Sequence, residues 1–167
     1  AEILLDMTGL QTVERSDTIS LAALTEEVFC DLDPVAEKHQ VRLIQTDGDC
    51  TVTGSYILLY RAVYNLVENA IKYNRPSGSV TVSIHTAESA VLEVTDTGIG
   101  ISPENQEKIF DPFYRVDKSR SRAMGGAGLG LSLVSEIARQ HNGQVKVTQS
   151  SEKGSTIALI LPKSTDY

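Results

Sequence analysis

The chain has 167 residues, 15 Lys and Arg against 22 Asp and Glu, a formal net charge of −7 and 41% hydrophobic residues. That length suits one domain with its own core, and the composition excludes both a disordered chain and a scaffold that depends on disulfide staples. No apolar run approaches the ~18–20 residues of a membrane span, and the acidic balance disfavours duplex DNA or an anionic membrane face as the main partner.

Residues 1–13 carry Ile3, Leu4, Leu5, Met7 and Leu10 at helical spacing. They read as the tail of a helix belonging to an upstream element, and the opening Ala1 suggests a piece of a longer protein. Ser20 then precedes a helix over 21–39, kinked or restarted at Pro34. Residues 41–46 and 50–54 look like two short strands around the turn-prone Asp47–Gly48 pair. From 55 to 74, apolar pairs recur every four residues, the pattern of an amphipathic helix with one buried stripe. It stops at the turn cluster Asn74-Arg75-Pro76-Ser77-Gly78. Two alternating runs separated by Glu88-Ser89 read as a hairpin, and a polar, glycine- and arginine-rich stretch covers about 97–127. A helix over 129–141 ends at Asn142-Gly143, and a last strand pair turns at Lys153-Gly154. The expected architecture is a two-layer α/β sandwich with helices on one face of a mixed sheet. Cys30 and Cys50 make no metal-type cluster and are expected as separate reduced thiols in an intracellular setting.

Four constellations carry chemistry. Asn65, Asn69 and Lys72, spaced 4 and 3, share one side of the 55–74 helix and offer amide oxygen to a hard cation and positive charge to an anion. Asp96-Thr97-Gly98-Ile99-Gly100 follows a strand, where a carboxylate can accept from an exocyclic amine and glycines admit a flat ligand. The run 110–117, Phe-Asp-Pro-Phe-Tyr-Arg-Val-Asp, reads as an aromatic anchor for a basic loop. Gly125-Gly126-Ala127-Gly128-Leu129-Gly130 feeds a helix N-terminus, an anion seat, and Arg115, Lys118, Arg120 and Arg122 lead into it. These glycines fit neither common nucleotide fingerprint. A dinucleotide motif fails at Pro103 and at Leu131, and a P-loop fails because Leu131 stands where the lysine is needed, before Ser132.

In this order, residues 65–73, 96–100, 110–117 and 125–133 resemble the N box, first glycine box, F box and second glycine box of sensor histidine kinases. These belong to the GHKL superfamily with the gyrase, Hsp90 and MutL ATPases. The resemblance covers about 15–162 and implies a Bergerat-type sandwich, a mixed sheet of about five strands backed by three helices with a nucleotide lid. It implies that residues 1–14 are the remnant of the second dimerisation helix and 15–167 the catalytic ATP-binding domain. ATP and Mg²⁺ are the implied cofactors. Asn69 would coordinate the metal, Asn65 would hold the metal or its waters, and Lys72 would contact phosphate. Tyr73 would line the pocket, and Asp96 would bond the adenine amine over a floor of Gly98, Ile99 and Gly100. Tyr114 and Arg115 would lie beside the lid, with Arg115 stabilising γ-phosphate charge. Gly126, Gly128, Leu129 and Gly130 would bind phosphate at the end of a lid over about 118–127.

The hydrolytic members of the superfamily carry a glutamate where this chain has Asn65, which cannot accept a proton at neutral pH, and Glu68 points away from Asn69 on the helical wheel. Phosphoryl transfer is therefore expected in preference to vigorous hydrolysis, with Asn65, Lys72 and Arg115 as catalytic residues. None of the three histidines, His39, His85 and His141, has the context of the family's phosphoacceptor. The expected partners are a separate dimerisation domain of the same parent and a response regulator, with no nucleic acid. The fragment is expected to be a cytoplasmic monomer from a membrane-anchored bacterial parent, inactive in autophosphorylation alone. Two other readings stay open: a non-catalytic nucleotide-binding pseudokinase, and an anti-sigma-type serine kinase of the same superfamily.

Overall fold

A computed structural model describes residues 17–111 and 130–164 of the chain. In chain order the elements are β1 (Asp17–Ser20), α1 (Leu21–Lys38), β2 (Arg42–Gln45), β3 (Thr51–Gly54), α2 (Tyr56–Lys72), β4 (Ser79–Thr86), β5 (Ala90–Asp96), α3 (Gly130–Gln140), β6 (Gln144–Ser151) and β7 (Gly154–Leu161), with short 3-10 turns at Pro103–Asn105 and Lys108–Phe110. Five strands form a mixed sheet in the order β2-β4-β5-β7-β6, parallel between β2 and β4 and antiparallel elsewhere. The three helices pack against this sheet, so the expected two-layer α/β sandwich is the observed one.

The patterns that suggested the elements also explain their burial. On α2, Leu58, Leu59, Ala62, Val63, Leu66, Val67, Ala70 and Ile71 are all buried, which is the four-residue recurrence turned into a contact face. Each leucine so buried contributes about 1.5–3 kcal/mol relative to exposure. On β4 and β5, alternate residues Val80, Val82, Ile84, Ala90, Leu92 and Val94 point into the same core. Ser55 caps α2 by accepting from the Leu58 amide at 3.3 Å, and Ser20 caps α1 by accepting from Ala23 at 3.2 Å. Between the helices, the Tyr56 hydroxyl donates to Glu27 and the Tyr60 hydroxyl to Asp31.

Two local expectations are corrected. Helix α1 runs continuously through Pro34 instead of restarting there. Pro34 and Cys30 are both exposed, so water can serve the carbonyl that loses its helical donor, and buried Leu32 and Ala36 hold the helix on course. Residues 41–46 and 50–54 do not form a hairpin: β2 joins the main sheet beside β4, whereas β3 pairs with β1 in a separate two-stranded sheet. Asp49 diverts the chain. Its carboxylate accepts from the Ala22 amide at 2.9 Å and from Ser20 Oγ at 2.8 Å, and the Leu21 amide donates to the Cys50 carbonyl, which draws β3 to the start of α1. The strand β1 itself carries no pattern long enough to signal in the sequence; its one buried residue is Ile19. The stop after α3 is as expected, with Asn142 rather than Gly143 taking the left-handed conformation (φ 60°) and the Gly143 amide returning to the Ala138 carbonyl at 2.8 Å.

Candidate functional site

Helix α2 and strand β5 converge at one end of the sheet, and the described site residues gather there. Asn65, Asn69 and Lys72 lie half-buried along one side of α2, flanking its buried stripe. Asn65 Nδ2 donates to the Gly130 carbonyl at 3.1 Å. This bond puts the start of α3, where the glycine-rich run ends, against the polar side of α2. Lys72 Nζ stands 3.9 Å from Glu68 Oε2 one turn earlier. A half-exposed pair of this kind is worth only a few tenths of a kcal/mol, so an anion of higher charge can take the ammonium from it. Glu68 is turned away from Asn69, as the helical wheel indicates, but it faces Lys72.

Tyr73 caps α2, its amide donating to the Asn69 carbonyl at 3.1 Å. Its own carbonyl sets the approach of the β5 end: a Cβ at Gly98 would stand 2.5 Å from it, so no side chain fits there. Asp96 closes β5 with a half-buried side chain. Its Oδ1 accepts from the Gly98 amide at 2.8 Å and the Ser155 amide at 3.3 Å, and no hydrogen bond among the described residues uses Oδ2. Burial pushes this carboxyl above the ordinary aspartate range, against the downward pull of the Gly98 and Ser155 amides. One oxygen thus holds the loop and the other is left to accept from a ligand.

Beyond Gly98 the loop continues through Ile99, 42% exposed, and Gly100, whose backbone lies against the Ser151 carbonyl at φ 78°. The next amide, Ile101 N–H, donates to Ser150 Oγ at 2.6 Å, and Ser150 Oγ meets Ser155 Oγ at 3.2 Å. The β6–β7 hairpin therefore supports the floor of the site from below. The turn at 108–110 buries Ile109 and packs Phe110 on the core, as expected for an anchor at the start of the 110–117 run.

Among the described residues, no group of three or more His, Cys, Asp or Glu could hold a metal ion. The donor available is the Asn69 amide oxygen. It fits a hard cation that takes most of its ligands from phosphates and water, as Mg²⁺ does, and does not fit zinc or a resident transition metal. Tyr114, Arg115, Gly126, Gly128, Leu129 and the expected lid lie outside the described residues. Two concavities among the described residues lie at the opposite end of the sheet, around Asn142, Leu161 and Pro162, away from Asp96. The sequence reading missed the supporting residues Asn74, Thr97, Ser150 and Ser155. Serines, a threonine and an asparagine in or beside turns are too common to signal alone.

An α/β sandwich with a carboxylate at one strand end, a glycine-bearing loop after it and a helix bearing two asparagines and a lysine beside it is the arrangement of the GHKL class. A family described as "Histidine kinase-, DNA gyrase B-, and HSP90-like ATPase" matches residues 54–165, and the chain belongs to that family. Curated relatives place it on the sensor histidine kinase side. It is 37% identical over 169 residues to the sensor-like histidine kinase SenX3 of Mycolicibacterium smegmatis, covering 98% of this chain and 44% of that kinase. It is 41% identical over 140 residues to the sensor histidine kinase RppB of Synechocystis, covering 83% of this chain and 30% of that one. The chain thus spans less than half the length of these relatives. Among solved structures, the mycobacterial sensor histidine kinase MprB superposes with a TM-score of 0.79 at 26% identity, covering 90% of this chain and 100% of that one. Full-length ShkA in complex with AMPPNP superposes with a TM-score of 0.85 over 99% of this chain and 35% of that one; at 23% identity it shows the shared fold alone.

Proposed function

We propose that this chain binds Mg-ATP and supplies the γ-phosphate to a histidine on a separate dimerisation domain, in two-component signalling through a response regulator. The observation that carries this reading is the half-buried Asp96 carboxylate, held through Oδ1 and open at Oδ2, one packed contact from the helix that bears Asn65, Asn69 and Lys72. Oδ2 accepts the exocyclic amine of adenine, and the Gly98–Gly100 floor lets the base lie against backbone. The polar side of α2 then faces the phosphates. Asn69 would hold the metal through its amide oxygen and Lys72 leaves Glu68 for phosphate, while Arg115 is assigned to the γ-phosphate, Tyr114 to a nucleotide contact beside the lid, and Gly126, Gly128, Leu129 and Gly130 to the lid's phosphate-binding end. Mg²⁺, when bound, neutralises phosphate charge; the protein's share is positioning.

Asn65 supports transfer over hydrolysis. Its Nδ2 donates to Gly130, so the side chain serves as a strut between α2 and α3 and has no basicity to offer a water. The three histidines are each engaged away from the site: His39 Nδ1 with the Val35 carbonyl, His85 with Glu93, and His141 buried between α3 and α2. The acceptor therefore comes from another domain, and the 167-residue chain by itself does not autophosphorylate. No helix among the described residues is long and apolar enough to cross a membrane; the cytoplasmic setting, monomeric state and membrane-anchored parent belong to the proposal.

Calorimetric titration of the chain with a non-hydrolysable ATP analogue, with Mg²⁺ and with EDTA, tests the reading. Magnesium-sensitive binding is the expected result, followed by transfer to an added histidine-bearing dimerisation fragment. A folded chain that binds no analogue overturns it.

A further inference from the structure

Asp96 is aimed by more than its own loop. Asn74, just past α2 and 9% exposed, sits at the centre of a closed hydrogen-bond set. The Arg75 amide donates to Asn74 Oδ1 at 2.8 Å, and because an amide N–H can only donate, the atom it meets is the oxygen. Nδ2 then donates to the Ser79 carbonyl at 2.8 Å, at the start of β4. Thr97 Oγ1 accepts from the Ser79 amide at 2.9 Å and donates to Asn74 Oδ1 at 2.9 Å. The Ser79 carbonyl also lies 3.4 Å from Thr97 Oγ1, but Asn74 Oδ1 is the nearer acceptor for the single hydroxyl proton.

Thr97 is the residue between Asp96 and Gly98. The other restraints on the Asp96 carboxylate, the Gly98 and Ser155 amides, belong to its own loop and to β7. The Thr97–Asn74 bond is the side-chain link from that loop to α2, the helix of Asn65, Asn69 and Lys72. Gly78 leaves the space the pair needs, since a Cβ there would meet both Asn74 Oδ1 and Thr97 Oγ1.

We infer that Asn74 and Thr97 are positioning residues for base recognition: their hydrogen bond sets the bearing of Asp96 relative to α2, so that adenine and the phosphates are held at once. The inference rests on the reading of Asp96 as the base acceptor. It differs from a stabilising role in one measurable respect. Misaiming a carboxylate that reads an exocyclic amine erodes the preference for adenine over guanine, whereas general loosening weakens both bases alike.

Calorimetric titration of the 167-residue chain with ADP and with GDP separates these cases. For Thr97→Val and Asn74→Ala, which break the link from opposite ends, ADP affinity falls about tenfold, the order of one lost hydrogen bond. The ADP-over-GDP preference narrows with it, and Thr97→Ser, which keeps the hydroxyl, retains both. If Thr97→Val does not fold, Asn74→Ala carries the same test. Folded variants with ADP affinity and base preference within about twofold of wild type overturn the inference, and so does an equal loss for both nucleotides. A wild-type chain with no preference for ADP overturns the assignment of Asp96 itself, and the inference falls with it.

Discussion

The two ends of helix α2 are built on opposite terms. At its start the cap is closed by protein groups. Ser55 caps the helix, the Asp17 carboxylate accepts from the Tyr56 amide at 2.9 Å, and His141 locks the joint by accepting from the Ser55 amide through Nε2 at 3.1 Å while Nδ1 meets the Ile137 carbonyl at 2.8 Å. At its other end the polar side chains are only partly used: Lys72 has a weak partner in Glu68, and the nearby Asp96 keeps one oxygen open. A fold can leave groups poised for a ligand at one end of a helix when the other end is closed by capping and packing. Substitutions at the start should therefore move stability, and substitutions at the end should move binding.

The largest effect expected on binding is from Asp96→Asn. It exchanges a charged acceptor for an amide that can present a donor, and adenine-nucleotide affinity should fall by about 2–3 kcal/mol, roughly 30- to 150-fold. Because burial raises the folded-state pKa of Asp96, its ionised form costs the fold stability at neutral pH, and that cost is relieved as pH falls through the raised pKa. The melting temperature of the variant should therefore hold or rise, and calorimetry beside a thermal melt checks both halves. A variant that loses stability and keeps affinity would erase the contrast between the two ends.

Gly54→Ala is the counterpart at the closed end. Its Cβ would stand 2.5 Å from His141 Cδ2 and 2.7 Å from Nε2, against a ring held by two hydrogen bonds. Overpacking of this sort costs about 1–3 kcal/mol, which lowers the melting temperature by roughly 2–4 °C per kcal/mol in a domain of this size. The affinity of the residual folded protein for ADP should be unchanged, as titration below the melt would show.

Asn69→Ala sharpens the assignment at the open end. The difference between ATP-analogue affinities with Mg²⁺ and with EDTA should collapse to within a factor of about two, and a variant that keeps the wild-type difference removes Asn69 from the metal site.

The smallest effect expected is at Asp49, the cap brought to α1 from the β2–β3 connection. Burial raises its pKa, but the hydrogen bonds from the Ala22 amide, the Ser20 hydroxyl and the Cys50 and Leu21 amides outweigh it, and the folded-state value lies below the ordinary one. Its contribution is therefore full above the unfolded pKa and lost as pH falls through the folded pKa. Asp49→Asn should cost about 1 kcal/mol at neutral pH, and the gap to wild type should close on acidification below about pH 4 in denaturant melts.

Much of this was legible in the sequence because it is local. The four-residue recurrence along 55–74, the alternation in 79–96 and the turn at Lys153-Gly154 depend on residues within a few positions of one another, and the structure keeps each. Asn65, Asn69, Lys72 and Asp96 were legible too, since a helix or a strand end presents its polar residues at intervals set by backbone geometry. The division of 41–54 between two sheets was not. The strands β1, β2 and β3 have four residues each, too short for a period, and their pairing was settled by Asp49 at α1 and by the parallel register of β2 with β4.

By itself, the sequence determined the layer pattern, the buried stripe of α2 and the polar residues along its side that are proposed to meet a nucleotide. Tertiary structure decided which supports hold them: His141 across the start of α2, Asn65 against Gly130, and Asn74 with Thr97 behind Asp96. Each support is a hydrogen bond between residues separated by 23 to 86 positions. Its partner exists only after the sheet has brought the strand ends and helix ends together, so no spacing along the chain records it.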